Sequence, residues 1–312
     1  ADMAKPGFDS IGYNQSGDRY LWYKKTFTLE NTSQVVRLKI NKAKFGTKVF
    51  VNGESVGKRK YCFTPTTFEI QDYLKDPGEE NELIIRVGAA PKNLPDTIPY
   101  GHDYEKIRYL PGIYDNVKLI SSKRPYISNV QIAPNIEEEQ IKVRVTLKGI
   151  SRPENLSFTY QVAEDSSGKV VAQGVHTPES PKSLSKKTGN LTFTLPLPDC
   201  NLWTPEDPFL YNLQLSTGAD NISERFGMRS FRVDPKTGRA YLNGKPYYMR
   251  GTNVNIFRFF EDPERASLPW NGKWVRDLHQ KFKSMHWNSM RYCIGFPPEK
   301  WYDIADEEGF LI

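Results

Sequence analysis

The chain has 312 residues, with 43 Lys or Arg against 37 Asp or Glu, a net charge of +6. At roughly 100–200 residues per domain, this length implies two or three domains. The mild basic excess is not gathered into a run, which argues against a nucleic-acid binder, and no stretch approaches the ~20 apolar residues of a membrane helix.

Residues 20 to 120 alternate with period two. Val36, Leu38 and Ile40 share one face, with Arg37 and Lys39 on the other. Val49 and Val51 run into Asn52-Gly53, a tight-hairpin signal because both residues accept positive φ. Leu83, Ile85 and Val87 repeat the pattern, as do Val117 and Leu119, until Lys123-Arg124-Pro125 breaks it. A second set follows: Ile141 to Leu147, Leu156 to Val162, Leu191 to Leu195 and Phe209 to Leu215, with a polar loop from Pro178 to Asn190. About a hundred residues of short strands suit one immunoglobulin-like sandwich.

After Asp234 the period changes. Asn243-Gly244 makes a hairpin, Tyr247 to Arg250 reads as a strand, and Gly251 to Asn271 as a polar and aromatic loop. Trp274, Leu278, Phe282 and Met285 recur as one face of an amphipathic helix. Ser289 to Ile294 reads as a strand. Pro297-Pro298-Glu299 opens a second helix, which Gly309 closes before Phe310-Leu311-Ile312 begins another strand. Strand, helix, strand, helix, strand is the opening of a parallel α/β unit. A (β/α)8 barrel needs about 250 residues, so the chain is expected to be a piece of a longer protein.

Trp203-Thr204-Pro205-Glu206-Asp207-Pro208-Phe209-Leu210-Tyr211 resembles the W-[ST]-P-E-x-P-x-L-Y signature of glycoside hydrolase family 2, which includes β-galactosidases, β-glucuronidases and β-mannosidases. Phe226-Gly227-Met228-Arg229, Leu242-Asn243-Gly244-Lys245-Pro246 and Arg250-Gly251-Thr252-Asn253 are similar to further family segments, in order. Val51-Asn52-Gly53 and Gly112-Ile113-Tyr114 fit its first domain. The resemblance implies a mainly β chain: a jelly-roll sandwich over 1–124, an immunoglobulin-like sandwich over 125–233 and the truncated start of a (β/α)8 barrel over 234–312. It implies a retaining β-glycosidase acting on β-linked glycans through two glutamates about 5–5.5 Å apart. In the family both lie on later barrel strands, so they are expected beyond Ile312, and the chain alone is expected to be inactive. A non-catalytic carbohydrate-binding or scaffold module is the alternative.

The resemblance also marks substrate-binding candidates. Arg291 would orient the nucleophilic carboxylate through a charge-assisted hydrogen bond, or else make a structural ion pair. Asn253 and Asn255, placed after the first strand, would bond sugar hydroxyls or cap a loop. Asn255 stands where the family has histidine, and Arg291 to Pro297 lacks a second family histidine; both departures put β-galactosidase specificity in question. The loop Leu94 to Tyr114 carries His102 and Asp103, suited to sugar binding or to a domain interface. Trp203 and Tyr211 read as core anchors of the second sandwich, Arg250 as one half of an ion pair, and Glu307 and Glu308 as solvated.

Cys62, Cys200 and Cys293 form neither a disulfide framework nor a metal knuckle. His279 and His286 lack a third ligand, so no metal site is expected. No cofactor is required. A structural or activating cation, bound by some relatives, stays open, as does a homo-oligomer. Compartment is open too, with periplasm or secretion placed ahead of cytoplasm.

Overall fold

The computed structural model describes residues 20–31, 35–44, 46–88, 112–151, 156–178, 188–256, 259, 262, 264–293 and 295–312. His102 and Asp103 lie outside them, as does most of the loop Leu94 to Tyr114. The described residues are mainly β, with two α-helices.

The first part comprises β1 (Leu21–Phe27), β2 (Val35–Ile40), β3 (Ala43–Lys44), β4 (Thr47–Val51), β5 (Glu54–Arg59), β6 (Thr66–Glu69), β7 (Asn81–Val87), β8 (Gly112–Ile113) and β9 (Val117–Ser122). A sheet ordered β1-β7-β4-β5 and another ordered β6-β2-β9 enclose a core of Val36, Leu38, Ile40, Val49 and Ile85. Asn52 (φ 51°) and Gly53 (φ 84°) turn β4 into β5 with positive φ at both positions, the twist a two-residue hairpin needs. Arg37 departs from expectation. Its side of β2 does not face water: Arg37 is only 5% exposed, because the second sandwich covers it. Its Nη2 donates to Ser122 Oγ at 3.0 Å and lies 3.4 Å from Asp220 Oδ2, and its guanidinium stacks 4.0 Å from the centre of the Tyr126 ring.

The second sandwich comprises β10 (Tyr126–Asn135), β11 (Gln140–Lys148), β12 (Phe158–Glu164), β13 (Val170–His176), β14 (Thr188–Pro196), β15 (Tyr211–Ser216) and β16 (Asn221–Phe226). The β10-β11-β14 sheet packs on the β13-β12-β15-β16 sheet, an immunoglobulin-like arrangement around Ile141, Val143, Phe158, Leu213 and Tyr211. The Tyr211 hydroxyl, at the start of β15, accepts from Asn201 N at 2.8 Å; this backward tether is the tyrosine corner of such sandwiches. The polar loop ends earlier than Asn190, because Thr188 to Asn190 already pair with Lys148 to Thr146.

The last part comprises β17 (Phe231–Val233), β18 (Ala240–Leu242), β19 (Lys245–Tyr247), β20 (Gly251–Val254), α1 (Gly272–Ser284), β21 (Ser289–Tyr292) and α2 (Glu299–Glu308). The expected strand Tyr247 to Arg250 is not formed. β18 offers partners only as far as Tyr247, Tyr248 is 81% exposed, and the Asn288 side chain bonds Tyr248 O and Arg250 N instead. β20 and β21 pair in parallel, and Leu311 adds a parallel bridge to Ser289. α2 stops at Gly309, φ 70°, as its glycine implied. No helix among the described residues is long and apolar enough to cross a membrane.

The Asn271 side chain caps α1 by accepting from Trp274 N at 3.1 Å. The buried stripe of α1 is Val275 and His279, flanked by half-buried Trp274, Leu278 and Phe282. Met285 does not extend it: the helix ends at Ser284, and Met285 is 44% exposed. His279 is fully buried among Trp301 and Phe310; its Nδ1 lies 2.7 Å from Val275 O, and its Nε2 has no partner. Nδ1–H therefore donates, the ring is neutral, and burial lowers the His279 pKa below its ordinary 6.5. An unfolded chain takes up this proton near pH 6.5 and the folded one only at lower pH. The contribution is fully present above pH 6.5 and is lost as pH falls. The urea midpoint is expected to drop between pH 7.5 and 5.5, and His279→Leu to shrink that drop in matched titrations.

Two further contacts depart from the sequence reading. Trp203 is not in the core of the second sandwich. It is buried with Leu210 and Leu242 against the last part, its Nε1 donating to Asp306 O of α2 at 2.8 Å. Glu307 and Glu308 are not left to solvent. Glu307 pairs with Arg225 of β16 at 2.6 Å and with Arg276 of α1, and Glu308 pairs with Arg276.

Candidate functional site

The register Gly251↔Ser289, Thr252↔Met290, Asn253↔Arg291, Val254↔Tyr292 sorts the residues of β20 and β21 onto two faces. Val254 and Met290 are buried toward the helices, in one cluster with Val275, Trp301 and Phe310. Gly251, Asn253 and Arg291 are exposed on the opposite face. That face floors a cleft of about 570 Å³, bordered by Phe231, Met249, Thr252, Asn253, Arg291 and Leu311.

Gly251 sets the spacing of this pair. A Cβ there would stand 1.7 Å from Ser289 O, so only glycine lets the strands approach. Asn253 and Arg291 then sit side by side across the pair, the one juxtaposition of candidate residues the described structure shows. Asn253 lies inside the strand rather than after it, because β20 begins at Gly251. Asn255, half-buried, follows the strand. Among the described residues Arg291 has no carboxylate partner and no Asp or Glu borders the cleft. These residues therefore offer a guanidinium beside an amide, both able to donate to carboxylate or hydroxyl oxygens. Arg250 N donates to Asn288 Oδ1 at 2.9 Å, and among the described residues its side chain makes no ion pair.

The first sandwich braces this layer through residues the sequence reading missed. Asp115 Oδ2 accepts from Glu299 N at 2.8 Å, capping α2 from a distance, and from Lys42 Nζ at 3.1 Å. Asn41 Nδ2 donates to Glu299 Oε2 at 2.7 Å, and Trp270 Nε1 donates to Tyr114 O at 3.0 Å. Tyr114, fully buried, shares the cluster of Val254 and Met290, which gives Gly112-Ile113-Tyr114 a structural task. Only the abrupt Asp-Asn after that motif signals Asp115. Beneath the strands, Tyr292 stacks edge-on against Trp301 and Tyr302. Burial raises the Tyr292 pKa well above the ordinary phenol value and pushes that of Tyr302 up to about 12. No group of three or more His, Cys, Asp or Glu among the described residues is placed to hold a metal ion.

The model described as glycosyl hydrolases family 2 matches residues 125–229, and that described as the glycosyl hydrolase 2 galactose-binding domain-like matches residues 8–105. The chain is 25% identical over 331 residues to the β-galactosidase large subunit of Leuconostoc lactis, covering 100% of this chain and 47% of that protein. It is 26% identical over 317 residues to a putative β-glucuronidase of Formosa agariphila, covering 96% and 27%. The β-glucuronidase structure of Bacteroides uniformis superposes with a TM-score of 0.73 at 22% identity, covering 97% of this chain and 36% of that one; this is a likeness of fold. The chain spans less than half the length of each of these relatives.

Proposed function

Because the chain belongs to glycoside hydrolase family 2, we propose that it is the N-terminal portion of a retaining β-glycosidase that hydrolyses O-glycosidic bonds in carbohydrates. In this reading residues 1–124 and 125–233 are its two sandwiches, and 234–312 the first βα units of a (β/α)8 barrel. The observation that carries it is the parallel β20–β21 pair, with both helices on one face and Asn253 beside Arg291 on the other. Such a pair supports the reading, because a barrel wall also carries its helices on the outer face, and the inner residues near its strand C-termini build active sites.

Retention requires a nucleophile and an acid/base carboxylate about 5–5.5 Å apart. The described residues of the cleft include neither, and we place both in the part of the family fold that this chain does not span. Arg291 then orients the nucleophile by a charge-assisted hydrogen bond, and Asn253 and Asn255 bond sugar hydroxyls. His102 and Asp103, outside the described residues, stay candidates for sugar binding. The galactosidase and glucuronidase relatives support a β-linked glycoside as substrate.

The test has two arms. The purified 312-residue chain is expected to release no nitrophenol from nitrophenyl β-galactoside or β-glucuronide, and stereoretentive turnover by it overturns the assignment. In the full-length protein, Arg291→Ala is expected to lower kcat/KM by about 10²–10³-fold, the scale of losing one preorganised charged donor, with Arg291→Lys recovering part. Unchanged kcat in Arg291→Ala removes Arg291 from the site.

A further inference from the structure

The outward residues of the β1-β7-β4-β5 sheet stand in rows across its antiparallel strands. In one row Trp22 is opposite Arg86, Arg86 opposite Lys48, and Lys48 opposite Lys58. Neighbours in such a row are roughly 5 Å apart, so β7, β4 and β5 carry three cations in file. The next row is Lys24, Ile84, Phe50 and Ser55. The second sandwich covers the outer side of β2, in the opposite sheet, so this face points away from it.

Like charges directly opposite on a sheet face cost stability, and no carboxylate offsets them here. Arg86, Lys48 and Lys58 have no acidic partner among the described residues. Glu82, the one acidic residue on this face of the four strands, pairs with Lys24 instead. Aromatic rings hold two of the cations. The Arg86 guanidinium lies 4.3 Å from the centre of the Tyr20 ring, and Lys48 Nζ lies 4.6 Å from that of Phe50. Such contacts position a cation without neutralising it. Trp22 stacks on Phe50, with ring centroids 6.2 Å apart, yet is 56% exposed.

A row of unneutralised cations that starts at an exposed indole complements an acidic polysaccharide. The C–H side of a pyranose stacks on the negative ring face, and carboxylates of neighbouring sugars take charge-assisted hydrogen bonds from Arg86, Lys48 and Lys58. A single exposed ring gives no stack to the successive bases of a nucleic acid and no apolar face to a bilayer. We propose that this face binds an acidic polysaccharide, a chain of uronate sugars laid across the strands from Trp22 to Lys58. The site is separate from the β20–β21 cleft and needs no catalytic group, so its failure leaves the glycosidase reading standing.

Calorimetric titration of the 312-residue chain with hexamannuronate, and with neutral mannohexaose and hexathymidylate as controls, tests the proposal. Saturable binding of hexamannuronate is expected, tighter than that of hexathymidylate, at least tenfold tighter than that of mannohexaose, and weaker as salt rises. Trp22→Ala, a change at an exposed position, is expected to weaken it at least tenfold with the circular dichroism spectrum intact. Lys48→Gln combined with Lys58→Gln is expected to weaken it as much without lowering the melting temperature, because repulsion within the row is relieved. Lysines kept only for packing give the reverse, a lower melting temperature and unchanged binding. That reversed pattern, absence of saturable binding at about 1 mM, equal affinity for mannohexaose, or equal or tighter binding of hexathymidylate overturns the proposal.

Discussion

Arg37→Ala is expected to lower the free energy of unfolding by about 3–5 kcal/mol, the scale of stranding one partner of a buried ion pair. Both side chains are nearly sealed, at 6% exposure for Arg37 and 10% for Asp220. Asp220 Oδ2 would keep only Ile127 N, at 2.9 Å, as a donor, and the Tyr126 ring would lose the cation above it. Tyr126 is itself tied by its hydroxyl to Glu69 Oε1 at 2.6 Å, and Arg124 reaches Glu69 Oε2 at 2.8 Å. The substitution therefore loosens a chain of contacts joining the two sandwiches. Asp220→Asn keeps an oxygen for Ile127 N and removes only the charge, so its loss should be smaller, about 1–3 kcal/mol. Urea unfolding followed by circular dichroism measures both. A loss below about 1 kcal/mol for Arg37→Ala would show that water reaches the pair.

Gly251→Ala is expected to cost about 3 kcal/mol or more, at the upper end of overpacking effects. The added methyl would stand 1.7 Å from Ser289 O, which is backbone and cannot rotate away. β20 and β21 must move apart, taking Asn253 away from Arg291. If the proposed glycosidase reading holds, a displacement of about 1 Å at these residues is expected to lower the kcat/KM of the longer enzyme roughly 10²-fold. Gly218→Ala is the control: its φ of +77° is strained for alanine, but a Cβ there meets nothing within 4 Å. It should cost about 1–2 kcal/mol and leave kcat/KM unchanged. Gly251 has no positive φ, so a loss no larger than that of Gly218→Ala would show that the β20–β21 pair absorbs the methyl without opening.

The parts of this fold legible in the sequence are those set by near neighbours. Val36, Leu38 and Ile40 alternate because side-chain direction has period two. Asn52-Gly53 and Asn243-Gly244 turn hairpins because both positions need positive φ. Gly309 ends α2 for the same reason. The alternation says which side of β2 Arg37 takes, but not that another sandwich lies on that side. The partners of Glu307, 82 residues away in Arg225 and 31 in Arg276, have no local signal at all. The buried stripe of α1 centres one position beyond the one its sequence suggests, because Trp274 and Leu278 are more apolar than Val275 and His279. Asn253 and Arg291 could be named from the segments that carry them, whereas their side-by-side placement follows from a parallel register that no spacing along the chain encodes.

The socket around Trp203 also constrains the order of assembly during synthesis. The indole reaches Asp306 O across 103 positions, and Arg229 fixes the same helix by pairing with Asp306 at 3.0 Å while lying over the Trp203 ring. All the receiving groups belong to residues translated before α2. As the ribosome delivers the chain from its N-terminus, the second sandwich can finish first and present a ready-made seat, so that α2, which emerges after it, lands on an existing template.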